Sequence, residues 1–229
     1  MKLCIDTCTN VCTVAAVEEN KVLSERTYND KLKHSEILMV EVEEMLKRLE
    51  KTSNDLDSVY VTNGPGSFTG IRIGVTVANT LADTLNVPVY DYSVLDLIAS
   101  NFMYANKPIC SMLYARNNRY YFCIYQATDG MLEMLREYDV LDINEIIEEI
   151  KSNYDEIIFA GDIDLSHYKL LSSNGLIANP SVTIPKASTM PFINISNKEE
   201  IVKSEKINDM FIKPLYLEKS QAEKMAKND

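Results

Sequence analysis

Residues 63–74, Asn63-Gly64-Pro65-Gly66-Ser67-Phe68-Thr69-Gly70-Ile71-Arg72-Ile73-Gly74, hold four of the seven glycines in a 229-residue chain. They follow Ser58-Val59-Tyr60-Val61-Thr62, a β-branched and aromatic run suited to a buried strand. Beyond them, apolar residues recur at helical spacing and predict a helix over 70–86. A strand that feeds a glycine-rich turn into a helix belongs to an α/β domain, not to an all-α or all-β one. Two readings of the turn stay open. Free amides at the positive end of the helix dipole would hold an anion. Alternatively, the glycines serve a sharp turn that needs positive φ and close packing. The segment is not a P-loop: no Lys-Ser/Thr follows the last loop glycine, and glycines 64, 66 and 70 miss the GxGxxG spacing by one residue.

The remaining pattern has the same α/β order. Strands are expected at 3–6 and 12–18 around the polar turn Thr7-Cys8-Thr9-Asn10, with a third over 21–28. From Ser35, Leu38, Val42, Met45, Leu46 and Leu49 mark a helix, and 87–90 reads as a strand. The stretch 100–108 divides the chain into 1–104 and 105–229. After it come strands at 109–114 and 120–127 around Arg116-Asn117-Asn118-Arg119, a helix over 144–152, and a strand over 156–160 that ends at Gly161-Asp162. An early hairpin in each half predicts duplicated lobes, without a residue-level repeat. Pro180, Pro185, Pro191 and Pro214 interrupt every later candidate helix, and the polar tail 220–229 is expected to fray.

Composition narrows the function. With 46% apolar residues the chain can bury a core, and no uninterrupted apolar run exceeds six residues, so no membrane span is expected. The acid in Met1-Lys2-Leu3-Cys4-Ile5-Asp6 falls where a secretory signal needs its apolar stretch, which predicts a cytoplasmic protein. Against 23 Lys and Arg stand 34 Asp and Glu, a net charge of −11 that repels phosphate backbones. Any role with RNA is therefore expected to be indirect, through a partner. Cys4, Cys8, Cys12, Cys110 and Cys123 form no CxxC, and the first three lie on strands and a turn, which suits packed, reduced thiols and no metal.

Asp6, Thr7 and Thr9, with Gly66 and Ser67, are the nucleotide candidates, since a carboxylate and hydroxyls at a strand end can hold a hydrated metal and phosphate oxygens. The hairpin lacks glycine and a nearby lysine, so turn capping competes with that role. The two histidines are His34 and His167. His34-Ser35-Glu36 forms no relay, because adjacent residues on a helix start diverge, and Leu38 stands where a metal pair would need a second histidine. No catalytic residue is assigned. The helix over 70–86 is apolar on two sides: Ile71, Val75, Ala78, Ala82 and Leu85 on one, Ile73, Val77, Thr80 and Leu81 on the other. Ile37 and Val40 likewise lie outside the main stripe of the preceding helix. Such a helix is sandwiched within its own fold, under the second lobe, or gives one side to another chain.

The N-terminal Leu3-Cys4-Ile5-Asp6-Thr7, His34-Ser35-Glu36, the glycine segment to Gly74, and Pro214-Leu215-Tyr216-Leu217 with Ser220, Ala222 and Glu223 resemble the TsaB (YeaZ) family over nearly the whole chain. The family works in threonylcarbamoyladenosine synthesis on tRNA. This chain departs from it at Tyr114, where an aspartate is expected, and at Cys8, which replaces a usual serine. The resemblance implies the actin/sugar-kinase/Hsp70-like (ASKHA) α/β fold of two lobes, the second reduced. It implies a subunit without chemistry of its own, bound to a TsaD-like subunit that carries the metal-binding histidines and transfers the threonylcarbamoyl group. A TsaE-like ATPase joins them, and no cofactor is required unless a nucleotide sits at the junction with TsaD. The expected partner surface comprises Ile37, Val40, Glu41, Glu44, Gly70, Ile73, Gly74, Val77, Thr80 and Leu81, a surface that would pair with a second copy in a homodimer when the chain is alone. The competing expectation is an enzyme, either a nucleotide hydrolase of the same fold or a peptidase-like hydrolase.

Overall fold

The computed structural model describes residues 1–29, 34–197 and 211–218. Its first half alternates strands and helices: β1 (Lys2–Asp6), β2 (Val11–Glu18), β3 (Lys21–Asn29), α1 (His34–Arg48), β4 (Ser58–Gly64), α2 (Phe68–Leu85) and β5 (Val89–Ser93). The strands form one sheet in the order β3-β2-β1-β4-β5. Within it β1, β4 and β5 run parallel, and β2 is antiparallel to both of its neighbours.

After α3 (Val94–Ser100) the second half repeats the plan with β6 (Pro108–Arg116), β7 (Arg119–Thr128), β8 (Met131–Asp142), α4 (Ile143–Asn153), β9 (Ile158–Asp162), α5 (Tyr168–Ser172), β10 (Leu176–Ile177) and β11 (Ile195–Ser196). Its order is β10-β9-β6-β7-β8-β11, so β8-β7-β6-β9-β10 reproduces the first sheet strand for strand. The senses of pairing are the same as well. This duplication is the ASKHA arrangement, and the second half is the reduced one. Where α2 has 18 residues, its counterpart between β9 and β10 is a 3-10 turn at Leu165–His167 followed by the five residues of α5.

Local chemistry explains the boundaries. Ser67 caps α2 by accepting the Gly70 N–H on its Oγ (3.3 Å), so the helix begins two residues before the spacing predicts. Asn86, left-handed at φ 56°, ends it. Between β6 and β7, Asn117 and Asn118 take φ of 49° and 60°, which suits a two-residue hairpin turn between twisted strands. The sequence reading did not find β8 or α3. In β8 the Leu-, Glu-, Met- and Arg-rich composition favours helix, yet Leu132 and Met134 alternate inward at strand period.

The main core draws on both sheets and on α3, whose seven residues are all buried. Asp96 in α3 ties the halves together. Its Oδ1 accepts the hydroxyls of Tyr125 on β7 (2.6 Å) and Tyr138 on β8 (2.7 Å), and its Oδ2 accepts the Ser93 N–H (2.9 Å). The proline-broken region also crosses between halves: the 3-10 helix Ala187–Phe192 packs on the first sheet. There the N–H and Oγ of Ser188 donate to the Glu25 carboxylate at 3.0 and 2.9 Å. Chain after residue 104 therefore returns to pack on the first sheet. The tail signature of Ser220, Ala222 and Glu223, and the fraying expected over 220–229, lie outside the described residues.

All five cysteines are buried and unbridged. Burial, aided by the charges of Asp6 and Glu41, pushes the Cys12 thiol up to about 12. No described helix is long and apolar enough to cross a membrane. The Asp96 network predicts that Tyr125→Phe, which removes one buried hydrogen bond without creating a cavity, lowers stability by about 1–2 kcal/mol. Urea unfolding measures this, and an unchanged midpoint would mean that the network does not hold the halves together.

Candidate functional site

β1 and β4 lie side by side and parallel, so the turn after β1 and the glycine loop after β4 emerge at the same end of the sheet. They are in direct contact. The Ser67 N–H donates to the Cys8 carbonyl (2.7 Å), and Thr7 Oγ1 donates to the Gly70 carbonyl (2.7 Å). A Cβ at Gly66 would lie 2.0 Å from the Cys8 oxygen, and one at Gly70 would lie 2.1 Å from the Thr7 oxygen. Both positions demand glycine because backbone presses on backbone. Of the two readings of the turn, close packing is the one the geometry favours.

Sequence reasoning thus named residues that do come together. Asp6, Thr7, Gly66 and Ser67 meet at one place, and Thr9 lies at its edge, half-exposed. Their polar atoms serve one another. Asp6 Oδ1 accepts the Cys8 N–H (3.1 Å) and the Thr62 hydroxyl, while Cys8 Sγ approaches Thr62 Oγ1 at 3.1 Å. The space between the turn and the loop is taken up by the carbonyls of Thr7 and Cys8, and the Ser67 amide is already bonded to the latter.

Asp6 is fully buried, and its Oδ2 has no hydrogen-bond partner among the described residues. Burial raises its pKa above the ordinary 3.8, and the hydrogen bonds from Thr62 and Cys8 offset this only in part. His34, buried at the start of α1, places Nε2 2.9 Å from the Thr9 carbonyl, so that nitrogen carries the proton. His167 meets the Tyr120 hydroxyl through Nδ1 at 2.8 Å, in the second half. Ser35 and Glu36 are exposed and turn away from buried His34. Among the described residues no three His, Cys, Asp or Glu side chains form a group that could hold a metal ion.

The expected partner surface divides in two. Val40, Glu44 and Thr80 are exposed, and Ile37, Ile73, Val77 and Leu81 are half-buried, forming the second side of α2 with the neighbouring side of α1. Ile71, Val75, Ala78 and Ala82 face the core. Exposed Met39, which the periodicity did not single out, adds to the apolar area beside Val40. Three expected members lie apart from this exposed side. Gly70 and Gly74 are buried against Thr7 and lie beneath the surface. Glu41 is paired with Arg26 of β3 and keeps only 12% of its side chain exposed, so it is committed within the chain.

Sequence reasoning missed a second constellation. Tyr216 stacks on Phe68 with ring centroids 5.0 Å apart, and Arg72 lies 3.8 Å over the other ring of that pair, Phe68. Glu218 pairs with Arg116 (3.4 Å) and Arg119. Tyr114, at the position where an aspartate was expected, packs edge-on against Tyr120 at 5.3 Å. Only Pro214-Leu215-Tyr216-Leu217 hinted at this constellation, through resemblance and not through periodicity.

A family model described as TsaD, tRNA N6-adenosine threonylcarbamoyltransferase, matches residues 21–224. The tRNA threonylcarbamoyladenosine biosynthesis protein TsaB of Bacillus subtilis (strain 168) is 30% identical over 195 residues, which span 83% of this chain and 85% of that one. The TsaB of Escherichia coli (strain K12) is 27% identical over 149 residues, 64% of each chain. Among solved structures, YeaZ from Pseudomonas aeruginosa aligns with a TM-score of 0.72 at 22% identity, over 94% of this chain and 99% of its own. Another, described as similar to peptidase YEAZ from Pseudomonas aeruginosa, aligns with a TM-score of 0.74 at 22% identity over 95% and 99%.

The raised pKa of Asp6 makes a linkage prediction. A carboxyl that holds its proton more tightly when folded contributes stability that is complete below its unfolded pKa, about 3.9, and lost as pH rises through the higher folded value. Asp6→Asn keeps the Oδ1 acceptor and removes the titration. Its unfolding free energy should therefore fall less steeply than that of the wild type from about pH 4 upward. Denaturation measured across that range checks this, and parallel curves would contradict it.

Proposed function

The chain belongs to the TsaB/YeaZ family of tRNA threonylcarbamoyladenosine biosynthesis proteins, and from that premise we propose that it acts as a non-catalytic docking subunit for a TsaD-like partner that carries the chemistry. The carrying observation is the second, half-buried apolar side of α2. Ile73, Val77 and Leu81 remain half-buried beside exposed Val40 and Met39, whereas the glycine loop is filled by the chain's own turn.

In this reading the helical face of α1 and α2 packs against the equivalent helices of a partner with a related fold, which is how a duplicated architecture presents complementary surfaces. The same face joins two copies when the partner is missing. A TsaE-like ATPase binds the assembled pair. Any nucleotide of the assembly is assigned to the junction with TsaD, because the carbonyls of Thr7 and Cys8 occupy the loop of this chain. The acidic charge of −11 leaves tRNA contact to the partner, in the cytoplasm.

Val77→Glu and Ile73→Glu each bring an unpaired carboxylate into that contact and should weaken binding of the TsaD-like subunit by several kcal/mol, on the order of 3–5. Thr80→Arg adds bulk on an exposed position and should weaken it as well. Calorimetric titration measures the loss, with circular dichroism to show that the variants fold. Full affinity in folded variants would refute the assignment of the face. The purified chain, incubated alone with ATP or with peptides, should turn over neither; turnover that disappears in Asp6→Ala would favour the hydrolase reading instead.

A further inference from the structure

Residues 211–218 run as an extended segment from α2 of the first half to the β6–β7 hairpin of the second. Each step is held by a specific contact. Ile212 is buried, and its backbone forms a reciprocal pair with the Asn79 side chain, N–H to Oδ1 at 2.9 Å and carbonyl from Nδ2 at 3.0 Å. The Leu215 N–H donates to the carbonyl of Asn63 at the head of the glycine loop (2.7 Å). The Tyr216 ring covers Phe68, and its hydroxyl accepts from Arg72 Nε (3.0 Å). Glu218, with its side chain 10% exposed, lies between Arg116 and Arg119, and Arg119 is itself fixed by donating to the Val140 carbonyl (2.8 Å). Beside the segment a cavity of about 230 Å³ remains between the halves, lined by Gly66, Phe68, Arg116, Tyr121, Tyr216 and Glu218.

A groove that reads a backbone with an amide side chain, an aromatic ring with a stacked ring and a guanidinium, and a carboxylate with two arginines has the parts of a peptide receptor. We propose that this groove between the halves is a binding site for an extended peptide with an aliphatic residue, then an aromatic four residues on, then an acid two residues further, and that the chain's own residues 211–218 occupy it as an internal ligand. Ile212, Tyr216 and Glu218 supply that pattern. A peptide of the same pattern from another chain gains the site by competing with the internal segment, and the Glu218 ion pairs set how readily it does so. This inference is independent of the docking face on α1 and α2: it concerns a different surface and stands or falls by its own measurement.

The test uses the full chain and a fluorescein-labelled peptide with the sequence of residues 211–218. Glu218→Gln removes the ion pairs, so the Leu215 and Ile212 amides should exchange with solvent at least about fivefold faster than in the wild type. The labelled peptide should bind the variant at least about fivefold more tightly than the wild type, because its internal competitor is weakened. A peptide that ends in glutamine should lose that gain. Equal exchange in variant and wild type overturns the proposal, and so does a loosened segment without improved peptide binding. Should the variant fail to fold, raising NaCl on the wild type from about 0.05 to 1 M screens the same ion pairs. The Leu215 amide should then exchange faster, and exchange that does not respond to salt overturns the proposal.

Discussion

Two carbonyl oxygens, those of Thr7 and Cys8, press into a loop that only glycine can line. The contact sets the geometry of the first half. It fixes the spacing between the β1–β2 turn and the start of α2, and so the height at which α2 lies over the sheet. It buries Asp6 with the Thr62 hydroxyl and leaves the loop amide of Ser67 bonded within the chain. The junction is closed on itself by its own backbone.

The halves then depend on one another through few but buried polar contacts. Asp96 gathers two tyrosine hydroxyls from the second sheet onto a helix attached to the first. The 3-10 helix around Ser188 and the segment ending at Glu218 cross back over the boundary. Together they turn a duplicated topology into one body with a shared core, whose second copy can afford a rudimentary helix layer. α5 has only five residues, while the later 3-10 helix Ala187–Phe192 packs on the first sheet.

Much of this was legible in the amino-acid order, because it rests on local periodicity. The glycine loop, the two-sided α2 and the paired hairpins each leave a short-range signature. β8 did not, since Leu, Glu, Met and Arg carry helical preference and only cross-strand pairing with β7 overrides it. α3 is buried all round, so it has no polar side to reveal its period. The commitment of Glu41 to Arg26, and the burial of Gly70 and Gly74, depend on what neighbouring elements bring, which no single segment records. Residues 211–218 follow no repeat at all; their conformation is imposed by Asn79, Phe68 and the arginines that receive them.

The placement of sulfur has a practical consequence. Cys4, Cys8 and Cys12 sit within or beside the first hairpin, and Cys110 and Cys123 lie in the second sheet, all sealed from water and with the three hairpin thiols resistant to ionisation. An alkylating dye that reaches any of them must wait for the surrounding strands to part. The molecule therefore carries intrinsic breathing gauges in each half, and the order in which they react would rank which half yields first under strain.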